Sequence, residues 1–188
     1  MENIGKKKPK RLAMVFCQGG SRAKHKVQTA GITVDCREAA ANYPEGILEC
    51  DRGCLGLGSC ISVCKFGAIY VSQYGTAEVD REKCTGCGAC VKVCPKELIH
   101  LILPENTIMP RCSNQDPGPA ARNVCSVSCI ACRICEKNCP ADAVRVIDQC
   151  AVIDRDLCIA CGMCTIKCPR HVIVDADGIF TVRAQKAD

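Results

Sequence analysis

The chain has 188 residues, including 21 cysteines, three Phe, three Tyr and no Trp, and its formal net charge is +5. This length predicts one domain or two small ones, and so few aromatic side chains leave only a small hydrophobic core. No stretch reaches the roughly 20 apolar residues of a membrane-spanning helix, and no secretory signal core follows the basic first residues, so a secreted disulfide framework is not expected.

The first segment, residues 1–33, carries two groups of basic side chains. These groups predict a surface that docks an acidic protein, a partner subunit or anionic lipid. The alternative is a solvated terminus with no binding role. No aromatic residues accompany them as stacking platforms, so nucleic-acid binding is not expected. The two groups are Lys6, Lys7, Lys8, Lys10 and Arg11, followed by Arg22, Lys24, His25 and Lys26.

Further along the chain, three cysteine runs share the pattern C-x2-C-x2-C-x3-C-P. This is the spacing of bacterial [4Fe–4S] ferredoxins, in which three close thiolates hold one cubane and the fourth serves the other cluster of a pair. Zinc sites are the main alternative, but they usually use two separated C-x2-C pairs. The runs are Cys84-x2-Cys87-x2-Cys90-x3-Cys94-Pro95, Cys129-x2-Cys132-x2-Cys135-x3-Cys139-Pro140 and Cys158-x2-Cys161-x2-Cys164-x3-Cys168-Pro169.

A fourth run departs from this pattern. It reads Cys50-x3-Cys54-x5-Cys60-x3-Cys64, and Leu57 stands where the middle cysteine of a regular run would be. Because a cubane with one distant ligand needs three local ones, we expect Cys50 to replace the missing cysteine. Cys36 is the next candidate.

An internal repeat places this run opposite a regular one. A shift of 75 residues lays Cys50 to Cys64 on Cys125 to Cys139, a shift of 74 lays the Cys84 run on the Cys158 run, and a shift of 76 lays Cys36 on Cys112. The chain therefore divides into units 34–110 and 111–182, with a tail at 183–188. β-branched residues around Asp and Gly predict hairpins over residues 68–80, 143–154 and 172–182. The fold class is α+β: tandem two-cluster ferredoxin-like units with short helices and β-hairpins.

The repeat and the spacing predict four [4Fe–4S] clusters. Cluster I would take Cys50, Cys54, Cys60 and Cys94; cluster II Cys84, Cys87, Cys90 and Cys64; cluster III Cys129, Cys132, Cys135 and Cys168; cluster IV Cys158, Cys161, Cys164 and Cys139.

Five cysteines then remain unassigned, namely Cys17, Cys36, Cys112, Cys125 and Cys150. They could be buried thiols, which pack like small hydrophobic side chains. Alternatively, Cys17, Cys36, Cys112 and Cys125 could be extra ligands, for example Cys17 and Cys36 in a further cluster with part of the Cys50/Cys54 pair. Cys150 lies at a predicted hairpin turn and is expected to be a surface or half-buried thiol.

Four stretches resemble one family more specifically than the cysteine spacing does. They are Val15-Phe16-Cys17-Gln18-Gly19-Gly20, Asp35-Cys36-Arg37-Glu38-Ala39, Cys50-x3-Cys54-Leu55-Gly56-Leu57-Gly58-Ser59-Cys60, and Pro110-Arg111-Cys112-Ser113-Asn114 with Cys125-x3-Cys129-Ile130-Ala131-Cys132. From about Arg11 to Val174 the chain is similar to the cluster-bearing part of the B subunit of the Rnf complex, the ion-translocating ferredoxin:NAD⁺ oxidoreductase.

That resemblance implies an electron relay between ferredoxin-like donors and flavin- or NAD-containing oxidoreductase subunits. It also implies a cytoplasmic protein, or one held at the inner face of the cell membrane through its basic N-terminus. Members of the family usually begin with a membrane helix and a further cysteine motif. Neither is present here, so we expect a soluble relative or a chain whose N-terminal part has been removed.

Two other classes of function compete with this interpretation. One is a cluster-bearing subunit of a soluble hydrogenase or dehydrogenase complex unrelated to ion translocation. The other is a zinc-stabilised binding module, against which the three C-x2-C-x2-C-x3-C-P runs count. No nucleophile–base pair and no phosphate-binding glycine loop is present, so no catalytic residue is predicted.

Overall fold

The computed structural model describes residues 11–28 and 31–177, which contain all 21 cysteines. Eight short strands and six short helices alternate along this part of the chain. The strands are β1 (Leu12–Val15), β2 (Ile69–Val71), β3 (Ala77–Val79), β4 (Ile99–Ile102), β5 (Ile108–Pro110), β6 (Val144–Ile147), β7 (Cys150–Ile153) and β8 (Ile173–Asp175). The helices are α1 (Cys36–Asn42), α2 (Ser59–Ser62), α3 (Ala89–Val93), α4 (Gly118–Val124), α5 (Ile134–Lys137) and α6 (Met163–Lys167).

The strands form four two-stranded antiparallel sheets, two in each half of the chain. The hairpins β2–β3 and β6–β7 join neighbouring strands, whereas β1–β4 and β5–β8 join the first and last strands of each half. The two halves therefore repeat one plan: strand, two helices, hairpin, helix, strand. This arrangement confirms the predicted α+β ferredoxin-type fold class.

Two of the predicted hairpins form as expected, and the second corrects the prediction for Cys150. Asp148 and Gln149 both have positive φ, at 46° and 63°, as the two central residues of a type I′ turn require. The turn thus ends before Cys150, which begins β7. Its side chain is buried, and its Sγ donates to the carbonyl oxygen of Cys112 at 3.1 Å, so the prediction of a surface or half-buried thiol was wrong.

The strand pairing favours unit boundaries different from those drawn on the sequence. β1 falls in the segment assigned to the basic N-terminus, yet it pairs with β4 in register Val15↔Ile99. β5 falls at the end of the first assigned unit but pairs with β8 of the second. We therefore propose a boundary near residues 103–107. The second arm of the third predicted hairpin, residues 179–182, lies outside the described residues, as do the tail 183–188 and the lysines at 6–10.

Each half has its own small core, and cysteines make up much of it. In the first half, Val15 and Leu98 are fully buried beside the cysteines of that half, and in the second half Val144 and Val172 are. The longest helices in the described ranges have seven residues, and none of those helices could cross a bilayer. Buried cysteines are therefore part of the core of each half.

Candidate cluster sites

The four cysteine loops share one backbone conformation. In each loop, two residues flanking the middle position have positive φ, between 53° and 84°. Neither Gly56 nor Gly86 could carry a side chain. A Cβ at Gly56 would lie 2.2 Å from the Gly75 carbonyl oxygen, and a Cβ at Gly86 would lie 2.1 Å from the Arg11 carbonyl oxygen. The positions are Gly56 and Gly58, Gly86 and Gly88, Ala131 and Arg133, and Ala160 and Gly162.

Two of the predicted ligand sets each line a single cavity. The cavity of set II encloses about 320 Å³ and that of set III about 340 Å³. Set II is Cys64, Cys84, Cys87 and Cys90, and set III is Cys129, Cys132, Cys135 and Cys168. In both sets three cysteines come from one loop and the fourth from the other cysteine run of the same half, as the ferredoxin pattern requires.

The predicted fourth set is also brought together. The thiol of Cys164 interacts electrostatically with those of Cys139, Cys158 and Cys161, and all four belong to the second half. Cys139 comes from the run of site III, so the two sites of this half exchange their distant ligands in the same way as the two-cluster ferredoxins.

In the first half, the cavity of site I contains Cys36 and not Cys50. It encloses about 360 Å³ and is lined by Cys36, Cys54, Cys60 and Cys94. Cys36 begins α1, and its backbone N–H donates to Ser59 Oγ at 2.9 Å. The assignment of Cys50 to this cluster therefore does not agree with the geometry. A turn precedes Cys54, in which the Gly53 N–H donates to the Cys50 carbonyl oxygen at 3.0 Å. The Cys50 sulfur does not line the cavity of site I and accepts a hydrogen bond from Asn114 Nδ2 at 3.2 Å.

Backbone N–H groups point at the cluster-lining sulfurs. The last cysteine of every run accepts a hydrogen bond from the N–H four residues later, at 3.3–3.4 Å: Ala68 to Cys64, Leu98 to Cys94, Ala143 to Cys139 and Val172 to Cys168. Cys64 keeps this contact although Lys65 replaces the proline of the other runs. Hydrogen bonds of this kind stabilise ligating thiolates and tune cluster potential.

Burial shapes the acidity of the thiols. It raises the pKa of Cys54, Cys90 and Cys164 to about 11 and that of Cys60 and Cys135 to about 12, with neighbouring cysteines adding to the effect. The thiolates thus need a positive partner in the cavity, and iron supplies it while the bound thiols release their protons.

The donor chemistry fits a [4Fe–4S] cluster at each of these sites. Four cysteines line each of the cavities of sites I, II and III, and the four cysteines of site IV interact electrostatically. Main-chain N–H groups face cysteine sulfurs of all four runs, and every one of the 21 cysteines is a free thiol. Within residues 11–28 and 31–177, no three His, Cys, Asp or Glu side chains come together as ligands of a single metal ion. Cys87, Cys132 and Cys161, the middle cysteines of the regular runs, are exposed, so sites II, III and IV each reach the surface.

Comparison with known families agrees with these sites. The description "4Fe-4S dicluster domain" matches residues 49–101 and again residues 83–144, and "4Fe-4S binding domain" matches residues 151–174. These matches include cysteines of all four runs. They establish that the chain binds [4Fe–4S] clusters.

Three relatives are similar over 78% of this chain, and each is the B subunit of a redox complex. That of the Na(+)-translocating ferredoxin:NAD(+) oxidoreductase complex of Acetobacterium woodii is 42% identical, with 44% of its length covered. That of the ion-translocating oxidoreductase complex of Methanosarcina acetivorans is 35% identical, with 55% covered. That of the proton-translocating ferredoxin:NAD(+) oxidoreductase complex of Clostridium ljungdahlii is 39% identical, with 51% covered.

The chain thus spans about half the length of these relatives. A solved structure, the formate dehydrogenase–heterodisulfide reductase–formylmethanofuran dehydrogenase complex of Methanospirillum hungatei, contains a chain that is 23% identical over 65% of this chain and 51% of its own, with a TM-score of 0.26. The family matches and the sequence relatives together give the assignment: the chain is a 4Fe–4S dicluster protein, and over 78% of its length it is similar to the B subunits of Rnf-type complexes.

Proposed function

We propose that the chain relays single electrons through its [4Fe–4S] clusters, from ferredoxin-like donors to a flavin- or NAD-linked subunit of an oxidoreductase complex. The hydride and flavin chemistry belongs to the partner, and this chain supplies the path. The relatives named above, which are subunits of such complexes, support this role.

The observation that carries the proposal is the way short helices join neighbouring sites. α3 begins beside Cys90 of site II and ends at Cys94 of site I, so a single short helix links the two ligands. α6 links Cys164 of site IV to Cys168 of site III in the same way. This arrangement would place two clusters side by side in each half.

Exposed ligands suggest where electrons arrive and leave. Cys87 of site II and Cys161 of site IV lie at the surface, in different halves of the molecule. A donor docked at one and an acceptor docked at the other would use all intervening clusters. We further propose that the basic N-terminus contributes to docking, at a partner or at anionic lipid on the cytoplasmic face of the membrane.

Anaerobic stopped-flow spectroscopy tests the relay. The reconstituted chain is mixed with a reduced two-cluster ferredoxin, and the cluster absorbance is followed before and after addition of an oxidised flavodoxin. We expect bleaching by the ferredoxin and recovery as the flavin semiquinone forms. Clusters that neither accept electrons from the ferredoxin nor pass them to the flavodoxin would contradict the proposal.

A charge-reversal pair provides the control for docking. Lys83 and Arg145 are exposed side chains in the first and second halves. If donor and acceptor use different halves, Lys83→Glu and Arg145→Glu should slow different steps, one the bleaching and the other the recovery. Equal effects on both steps would indicate one shared docking surface instead of two ends of a path.

A further inference from the structure

Once Cys36 takes the place of Cys50 in site I, four of the five cysteines that remain surround one more cavity, between the two halves. The cavity encloses about 350 Å³, within the range of 320–360 Å³ spanned by the cavities of sites I, II and III. Three of its cysteines are buried and one is half-buried. They are Cys17, Cys50, Cys112 and Cys125.

Strand pairing shows that these cysteines are equivalent in pairs. Phe16 N–H donates to the Leu98 carbonyl at 2.7 Å, and Arg111 N–H donates to the Val172 carbonyl at 2.8 Å, which is the same contact in each half. The next residues, Cys17 and Cys112, are therefore counterparts. This replaces the pairing of Cys36 with Cys112 that a sequence shift of 76 suggests, whereas Cys50 and Cys125 remain paired by the shift of 75.

The hydrogen bonds around the sulfurs repeat as well. Cys17 Sγ accepts from the N–H groups of Gly19 and Cys54, and Cys112 Sγ accepts from those of Asn114 and Cys129, all at 3.4 Å. Each pair of donors occupies equivalent positions in its half. Buried thiols that merely fill a core need no such donors, whereas thiolate ligands of an iron–sulfur cluster do.

The surroundings keep the cavity open and offset negative charge. The main chain at Gly19 passes close to the sulfurs, since a Cβ built there would lie 3.4 Å from Cys125 Sγ and 3.7 Å from Cys17 Sγ. Arg111 lines the cavity and interacts electrostatically with Cys17. Asn114 donates its side-chain amide to the Cys50 sulfur.

We propose that Cys17, Cys50, Cys112 and Cys125 hold a fifth [4Fe–4S] cluster, with two ligands from each half. Binding converts four thiols to thiolates and releases four protons, and the iron and sulfide come from the cell's cluster-assembly supply. Cys54 of site I and Cys129 of site III each donate a backbone N–H to a ligand of this site. The order of the relay is then II–I–V–III–IV, which rests on the proposed function, whereas the site itself does not.

Iron and sulfide counts on anaerobically reconstituted full-length chain test the site. Wild type should hold about 20 Fe and 20 sulfide, and Cys17→Ala and Cys125→Ala about 16 of each. Because both ligands serve one cluster, the double variant Cys17→Ala/Cys125→Ala should also hold about 16. The matched control is Cys150→Ala, which removes a buried cysteine in contact with Cys112 but outside the cavity lining, and should keep about 20.

Three results would overturn the proposal. One is a wild-type count of about 16 Fe, with or without one Zn per chain, and this result does not depend on any variant folding. Another is a double variant that loses twice as much iron as either single one, because the two cysteines would then serve different clusters. The last is retention of the full count in both single variants. None of these counts involves electron exchange with a partner, so failure of the site and failure of the relay are distinguishable.

Discussion

In site I, a cysteine from another part of the chain, Cys36, lies where the regular runs would supply their middle cysteine, because that position is Leu57. In the three regular runs the middle cysteine is exposed, and Leu57 holds that position in the first run. Cys36, at the start of α1, lines the cavity of site I, and we propose that it is the fourth ligand of that cluster. The segment that carries Cys36 is longer than its counterpart in the second half, because Cys50 lies 33 positions after Cys17 whereas Cys125 lies only 13 positions after Cys112.

Cys36→Ala should therefore remove cluster I, and Leu57→Cys in the same chain should restore it. We expect the single variant to lose about four Fe and the double variant to regain them, because the run then has the regular three local ligands. Iron counting with low-temperature electron paramagnetic resonance checks both. Loss of the same cluster signal in Cys50→Ala but not in Cys36→Ala would return Cys50 to site I.

Gly86 and Ala160 occupy equivalent loop positions and predict opposite responses to exchange. A Cβ at Gly86 would lie 2.1 Å from the Arg11 carbonyl oxygen, and φ is 70° there, so Gly86→Ala should displace the start of β1 and speed the loss of cluster II. Ala160 already carries a Cβ at φ 53°, so Ala160→Gly should relieve about 1 kcal/mol of left-handed strain.

The rate of iron release to a chelator under anaerobic conditions measures both effects. Gly86→Ala should release iron faster than wild type, and Ala160→Gly should match wild type or release it more slowly. Equal acceleration in the two variants would mean that loop flexibility, and not the clash with Arg11, governs release.

At the scale of elements, local patterns were predictable from the sequence and long-range pairings were not. The hairpins β2–β3 and β6–β7 join neighbouring segments, so alternation and turn residues suffice to find them. β1 pairs with β4, which is distant in the sequence, so that Val15 lies opposite Ile99. The four residues of β1 contain no pattern from which this partner could be predicted. The equivalence of Cys17 and Cys112 depends on that pairing, which is why sequence shifts alone do not reveal it.

Arg111 ties the two halves together beside the cavity of the proposed fifth cluster. Its Nη1 donates to both carboxylate oxygens of Glu78, at 2.7 and 2.8 Å, and its Nε and Nη2 donate to the carbonyl oxygens of Val15 and Cys17, both at 3.1 Å. The side chains of Arg111 and Glu78 are only 11% and 26% exposed, so the pair is largely shielded from water. These charge-assisted contacts hold the end of β1 against the start of the second half.

Arg111→Met should weaken this junction by about 1–3 kcal/mol, the usual effect of losing hydrogen bonds to a charged group. Faster iron release to a chelator and greater protease sensitivity near residues 103–107 would report it. Arg145→Met is the control, because its contact with Asp142 is 3.7 Å long and exposed, and such pairs contribute little. Identical behaviour of the two variants would show that the Arg111 contacts do not hold the halves together.

At the scale of the whole molecule, the polypeptide alone has little with which to fold. Every sheet in the described part has two strands, and no helix there exceeds seven residues. Two-stranded sheets and single helical turns are marginal in water without further packing. The clusters would supply that packing, since buried cysteines belong to the core of each half.

Chelation under anaerobic conditions should therefore unfold the chain. We expect far-ultraviolet circular dichroism to lose most of its native signal as iron leaves, and to recover it on reconstitution, because binding and folding are one transition in such domains. A native spectrum that survives complete iron removal would show that the apolar residues hold the fold unaided.

The pairing of Cys17 with Cys112 and of Cys50 with Cys125 means that each half carries only half of a metal site. A single half, released by cleavage near residues 103–107, would keep its own pair of sites and present two unfilled thiols on the face it formerly turned to its neighbour. Two identical copies of the second half could complete the coordination by meeting through that same face, an isologous contact. The chain thus resembles two covalently linked copies of one unit. The first copy is longer, and its additional residues include Cys36.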